Sequence, residues 1–163
     1  MKGDTLSYGE TQRFFQYLVI NRKNILDTAI VKKYTNKFYN TTGLVPNISR
    51  FEALKYSGKM GIIENKELLD EIMNLYQEIM PQLLINTDYI TRFKTGDFSN
   101  YLDSKLIINA IDSNRLGQIL ATDDILVNYL KRILTSIPAI QKSYINVIDQ
   151  NKKIIGMIDK ELE

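Results

Sequence analysis

The chain is predicted to be all-α: an elongated antiparallel helical bundle with two long helices and a capped helical hairpin. Three observations predict it. Apolar residues recur three and four apart through most of the 163 residues, the period of one helix face. No stretch alternates residue by residue as a half-buried strand does. Near the C-terminus, Leu126, Leu130, Ile133, Ile137, Ile140, Tyr144, Val147, Asn151, Ile154 and Ile158 keep a four-and-three spacing without a break, and Asn151 is the only strongly polar member of that seam. At 44% hydrophobic residues the chain can fill one core, so a single domain over residues 1–163 is expected.

The elements follow in order. Glu10 to Tyr39 is expected as one long helix, with Phe14, Leu18, Ile25, Ala29 and Ile30 on its apolar side and a basic excess on the other. Asn40 to Asn47, with Gly43 and Pro46, is a connecting loop. A short helix from Ile48 to Ser57 opens on Ser49 and Glu52, three apart as in a capping box. Gly58 supplies the left-handed residue that stops it. Met60, Ile62 and Ile63 are too apolar for a free turn and are expected against a core. Asn65 caps the next helix, with Glu67 near its positive end.

That helix is expected from Lys66 to about Lys94, with Leu68, Ile72, Leu75 and Ile79 in phase. Pro81 should kink or split it, and the apolar phase slips there, since Leu83 follows Ile79 by four where three was due. Thr95-Gly96-Asp97 is expected to end the element, with Asp97 or Ser99 capping a brief helix through Tyr101 and Leu102. Lys105 to Ile111 is expected to be helical or irregular. Thr122, Asp123 and Asp124 open the last helix, which spans about 60 Å at ~1.5 Å per residue. Pro138 lies inside it with the seam in phase on both sides, so a kink is expected there.

Composition removes many chemistries. There is no histidine and no cysteine, so Ser-His-Asp triads, Cys-His dyads, disulfides and Cys/His zinc sites are excluded. Glu67 and Glu71 share a helix face, but with no histidine beside them they are expected to be a solvated face. Glycine-rich phosphate loops and acidic calcium loops are absent from the sequence. No catalytic residue, cofactor or metal is expected. The net charge of +2 does not call for a nucleic acid, and the second helix of the hairpin carries Glu64, Glu67, Asp70, Glu71 and Glu78, which would repel a phosphate backbone.

Two surfaces are candidates for binding. Lys32, Lys33 and Lys37 form a basic group that could meet an anion or a partner. The seam residues Leu126, Ile133, Ile140, Val147, Asn151 and Ile154 could pair two copies, although an intramolecular core is the stronger expectation. The aromatic residues around the basic group, Tyr8, Phe14, Phe15, Tyr17, Tyr34, Phe38 and Tyr39, are expected in the core or around a small pocket.

The segment Phe51 to Leu68, FEALKYSGKMGIIENKEL, resembles the hallmark of a family of small bacterial proteins with one membrane span near the N-terminus and a helical soluble domain. Glu52, Leu54, Lys55, Ser57, Gly58, Ile63, Asn65, Glu67, Leu68 and Tyr76 stand at the matching places. The resemblance implies a membrane-anchored protein whose domain lies outside the cytoplasm, with the span in a segment not present in this chain. It implies no activity. The expected function is therefore a non-enzymatic extracytoplasmic module for sensing or protein interaction, anchored to the inner membrane, with a protein partner or self-association. The alternative is a soluble intracellular adaptor dimerising through the Leu126–Ile158 seam.

Overall fold

The computed structural model describes residues 2–41, 43–106 and 112–162. Among them the chain is helical and holds no strand. Most of the Lys105 to Ile111 stretch lies outside the described residues.

The expected single helix from Glu10 to Tyr39 is instead three elements. Helix α1 runs Lys2–Ile20, α2 runs Thr28–Tyr34, and a 3₁₀ turn follows at Thr35–Phe38. Polar side chains that serve the backbone locally make the break. The Asn21 amide donates to the Tyr17 carbonyl at 2.9 Å. The Asp27 carboxylate accepts from the Ala29 and Ile30 N–H groups at 2.7 and 3.1 Å and starts α2 afresh. Ile25, placed on the apolar face by spacing alone, is 92% exposed, and Leu26 is buried in its stead.

Helix α3, Ser49–Tyr56, ends as expected: Gly58 has φ of 71° and a 3₁₀ turn, Lys59–Ile62, follows it. Its start differs, because Ser49 is already helical and the Ser49/Glu52 capping box does not form. Ile63 packs on the core, whereas Ile62 is exposed, so the turn is tucked in only on one side. The Asn65 side chain accepts from the Leu68 N–H at 3.0 Å, as its spacing predicts.

The chain then runs as one helical rod over residues 66–105: α4 at Lys66–Asn74, a π-turn at Leu75–Ile79, α5 at Met80–Phe93, a second π-turn at Lys94–Phe98, and α6 at Ser99–Lys105. The expected stop at Thr95-Gly96-Asp97 does not occur. Each π-turn coincides with a step of five among the buried apolar residues, from Leu75 to Met80 and from Phe93 to Phe98, and buried Lys94 opens the second. A wide turn absorbs one extra residue, so the apolar side stays on the core where an α-helix would rotate it away. Pro81 sits in the first turn after the first π-turn, where a missing N–H is tolerated, and it leaves the rod unbroken.

Asp112 caps α7, Ser113–Thr122, an element that the spacing did not reveal. Helix α8, Asp124–Leu162, is continuous for 39 residues with Pro138 inside it. Asp123 starts it, accepting from the Ile125 and Leu126 N–H groups at 3.0 and 3.1 Å.

The two long helices are thus the 66–105 rod and α8, not the first and last elements. They lie antiparallel: Tyr101 meets Asp123, Asn86 meets Ser143, Glu71 meets Gln150, and Asn65 meets Glu161. Helix α1 packs on another side of α8, also antiparallel, with Tyr8 beside Tyr144 and Arg22 bonded to Asp124 at 2.7 Å. Phe15, Leu18, Phe38, Phe98, Leu126 and Leu130 fill the centre, each under 2% exposed.

Candidate functional site

The most unusual side chain in the molecule is Lys94, which opens the second π-turn and is 4% exposed. Its ammonium donates to the Lys37 carbonyl at 2.8 Å and to the Asn40 carbonyl. Those carbonyls lie at and just beyond the end of the Thr35–Phe38 turn, so the cation caps the negative end of a helical turn from across the core. Burial pushes the amine down to about 8, and the charge of Lys37 adds to the effect. Lys37 is itself held by Glu10 at 2.7 Å, and the same bond keeps the Glu10 carboxyl below its usual value.

A cavity of about 10 Å³ adjoins the amine, walled by Ser7, Tyr8, Thr11, Asn40, Ile133 and Ile137. Its size suits one water molecule. A buried amine of lowered pKa is the chemical type used for Schiff-base formation, but here two carbonyls accept its protons and the chamber has no room for a substrate. What the arrangement does is pin the loop after α2 to the rod. Sequence reasoning missed Lys94. The signal was there: it follows Leu83, Thr87 and Ile90 at steps of four, three and four, on the buried stripe.

Tyr144 is the other buried polar group of note. It is fully enclosed, and its hydroxyl makes no hydrogen bond among the described residues, although the Leu44 N–H faces it. Burial raises its pKa first, and Asp4 and Tyr8 raise it further.

The sequence-predicted surfaces separate. Lys32 and Lys33 are exposed on α2, with the Lys33 ammonium 5.0 Å from the Tyr34 ring centre. Lys37 turns inward to Glu10, so the three do not form one basic face. The seam residues Leu126, Ile133, Ile140 and Val147 are buried at 1% or less against the chain's own α1 and 66–105 rod. Ile154 is buried as well, and Asn151 is half-buried and donates to the Val147 carbonyl of its own helix at 2.7 Å. From Leu126 to Val147 the seam is core of the chain itself, whereas Ile158, near its end, is 38% exposed. The aromatic residues also go to the core: Phe14, Phe15, Phe38 and Phe98 pack with ring centres 5.5 to 6.1 Å apart. Glu67 and Glu71 do not converge on a cleft; Glu71 is bonded to Gln150 and Lys153. Among the described residues no group of three or more acidic side chains is placed to hold a metal ion.

An open groove of about 440 Å³ lies at the end of the bundle where α1 turns into α2. The 21–27 loop forms one wall with Lys23, Ile25 and Leu26, and α7 forms the other with Asn114, Gly117 and Gln118. Ile25, on the loop wall, is 92% exposed, and Ile20, the last residue of α1, is 76% exposed. The Arg22–Asp124 pair holds the loop to the start of α8.

Comparison with family models, curated proteins and solved structures finds no match. Among the described residues no helix is long and apolar enough to cross a membrane.

Proposed function

We propose that this chain is a non-catalytic helical interaction module, the extracytoplasmic part of a membrane-anchored bacterial protein that works in sensing or protein contact. The observation that carries the proposal is the loop-end groove. Ile25 projects into solvent on the wall of the groove, Ile20 is exposed where α1 enters the same loop, and the loop is tethered at both ends by capping and an ion pair. Exposed apolar side chains rimmed by polar groups are the usual mark of a protein contact. The displaced titratable group, Lys94, is by contrast spent on holding the fold. The envelope location rests on the resemblance of the hallmark segment, in which Phe51 stacks on Tyr76 at 4.3 Å, Gly58 ends α3 and Asn65 caps α4.

The test has two parts. The gene product as the cell makes it, tagged at its C-terminus, is fractionated and exposed to protease in spheroplasts; membrane-bound and accessible product is the expected result, and soluble protected product overturns the location. A photo-crosslinking residue at Ile25 is compared with one at Lys131 on the exposed side of α8. A discrete adduct from position 25 alone is expected, and equal labelling removes the groove as the contact surface.

A further inference from the structure

We propose that the narrow end of the bundle is a self-association surface, by which two copies pair tail to tail through the C-terminal part of α8. This goes beyond the loop-end reading and is independent of it.

The bundle does not keep the same thickness along its length. Helix α1 covers one side of α8, with Tyr8 opposite Tyr144 and Gly9 beside Gln141. From that register, α1 reaches back to about residue 150 of α8 at its first described residue, Lys2. Beyond that level α8 is supported by α4, through Glu71 with Gln150 and Lys153 and through Asn65 with Glu161. The side that α1 covers higher up therefore continues uncovered.

The sequence keeps that side mostly apolar. Ile148, Asn151, Ile155, Ile158 and Leu162 follow at steps of three, four, three and four, and Asn151 is the one polar member, its amide bonded to the Val147 carbonyl of its own helix. Ile155 is 56% exposed and Leu162 is 81% exposed, and Ile158 adjoins the apolar turn residues Ile62 and Ile63 across a groove of about 300 Å³. A solvated helix end has no need of such a stripe.

Charge selects a second copy as the occupant. Lys152 and Asp159 flank the stripe on one edge, seven residues apart, and both are exposed. In a two-fold antiparallel pairing, equivalent flanking positions of the two helices face each other. With residue 155 of one copy against residue 158 of the other, Lys152 of each copy meets Asp159 of its mate, twice by symmetry. In one copy Lys152 pairs with Asp149, one turn away at 3.3 Å. The two α4–α8 ends would close into a short four-helix bundle, with the stripe as its seam.

The experiment is sedimentation equilibrium on the full chain, with three variants. The wild type is expected to be a reversible dimer. Ile155→Glu, at an exposed position that the monomer fold does not use, is expected to give a monomer with an unchanged thermal transition of its helical signal at low concentration. Lys152→Asp is expected to raise the dissociation constant about tenfold through two Asp–Asp contacts, and Lys152→Asp with Asp159→Lys is expected to restore it. The chain has no cysteine, so disulfide formation between Ile155→Cys and Ile158→Cys copies, on mixing, reads the register directly. A wild type monomeric at the highest concentrations, or a dimer that survives Ile155→Glu, overturns the proposal. A monomer is also the result expected if a lipid surface or an unrelated protein covers the stripe.

Discussion

Gly58 isolates a backbone effect at a single residue. It has φ of 71°, the one positive value among the described residues, and a Cβ built there would meet nothing within 4 Å. Any loss on substitution is therefore conformational, with no clash to confuse it. Gly58→Val is expected to destabilise by more than ~1 kcal/mol, read as a lower urea midpoint with an unchanged slope. An unchanged midpoint would mean that the end of α3 relaxes to another stop. The same scale explains which caps were legible in the sequence. Asn65 precedes a helix with its side chain on the Leu68 N–H, and its spacing predicts that bond. Ser49 has equally good spacing with Glu52 but does not cap, because Ile48 is already in a helical conformation and the first turn starts one residue early. A capping pattern states which bonds are available; the entry angle of the chain decides whether they form.

Asp123 connects residue to element. One carboxylate oxygen accepts from two N–H groups of α8, and the other accepts from the Tyr101 hydroxyl at 2.5 Å, which ties the end of the rod to the start of α8. Burial works to raise its pKa, but the Tyr101 bond, the two N–H groups and Lys105 outweigh it and hold the carboxyl below 3.8. Asp123→Ala is expected to cost about 2 kcal/mol at neutral pH, and Asp123→Asn to recover part of that, both by thermal unfolding. Equal stability of all three proteins would show that α8 needs no cap.

The rod over residues 66–105 makes a sharper element-scale prediction. A π-turn holds one residue more than an α-turn while keeping the flanking phases. Deleting exposed Gln77 within Leu75–Ile79 should convert the turn to plain α-helix with Leu75 and Leu83 still on the core. That variant is expected to fold cooperatively, within about 2 kcal/mol of the wild type. Deleting Lys131, equally exposed but in regular α8, rotates half of that helix by about 100° and is expected to abolish cooperative unfolding. Similar behaviour of the two deletions would place the extra residue elsewhere. The phase slip between Ile79 and Leu83 is visible in the sequence, but Pro81 beside it, the familiar cause of a kink, masks its source, which is the π-turn at Leu75–Ile79. In the first helix, periodicity continued through Asn21 to Asp27 although the helix did not: side chains that bond their own backbone leave no mark on an apolar count. The groove was illegible for the same reason, since it is built from a loop read as helix and from α7, a short element whose Leu116, Ile119 and Leu120 follow an ambiguous stretch.

At the scale of the whole molecule, three kinds of shifted group bear on the response to pH: buried Lys94 and the half-buried Tyr39, Tyr101 and Asp123. Lys94 has its pKa lowered in the fold to about 8 from 10.5. Between those values the unfolded chain binds a proton that the folded chain does not, so stability rises with pH across that window and the cost of burying the charge is present in full below 8. Tyr39 and Tyr101 act in the opposite sense. Burial and the neighbouring carboxylates Asp103 and Asp123 push both up to about 12 from 10, so the unfolded chain loses protons first and stability falls as pH passes 10. Asp123, held below 3.8, contributes stability that is lost as pH falls through its folded value. The curve is therefore expected to peak near pH 9.5 to 10, with a gain of about 2 kcal/mol over pH 7.5. Lys94→Met removes the rise and keeps the fall above pH 10, while leaving the Lys37 and Asn40 carbonyls without their donor. Urea unfolding of the two proteins at pH 7.5, 8.5, 9.5 and 10.5 reads both limbs. A wild-type curve flat from 7.5 to 9.5 would mean that the two carbonyls repay the charged amine for the water it has lost, and that Lys94 stays protonated through the range.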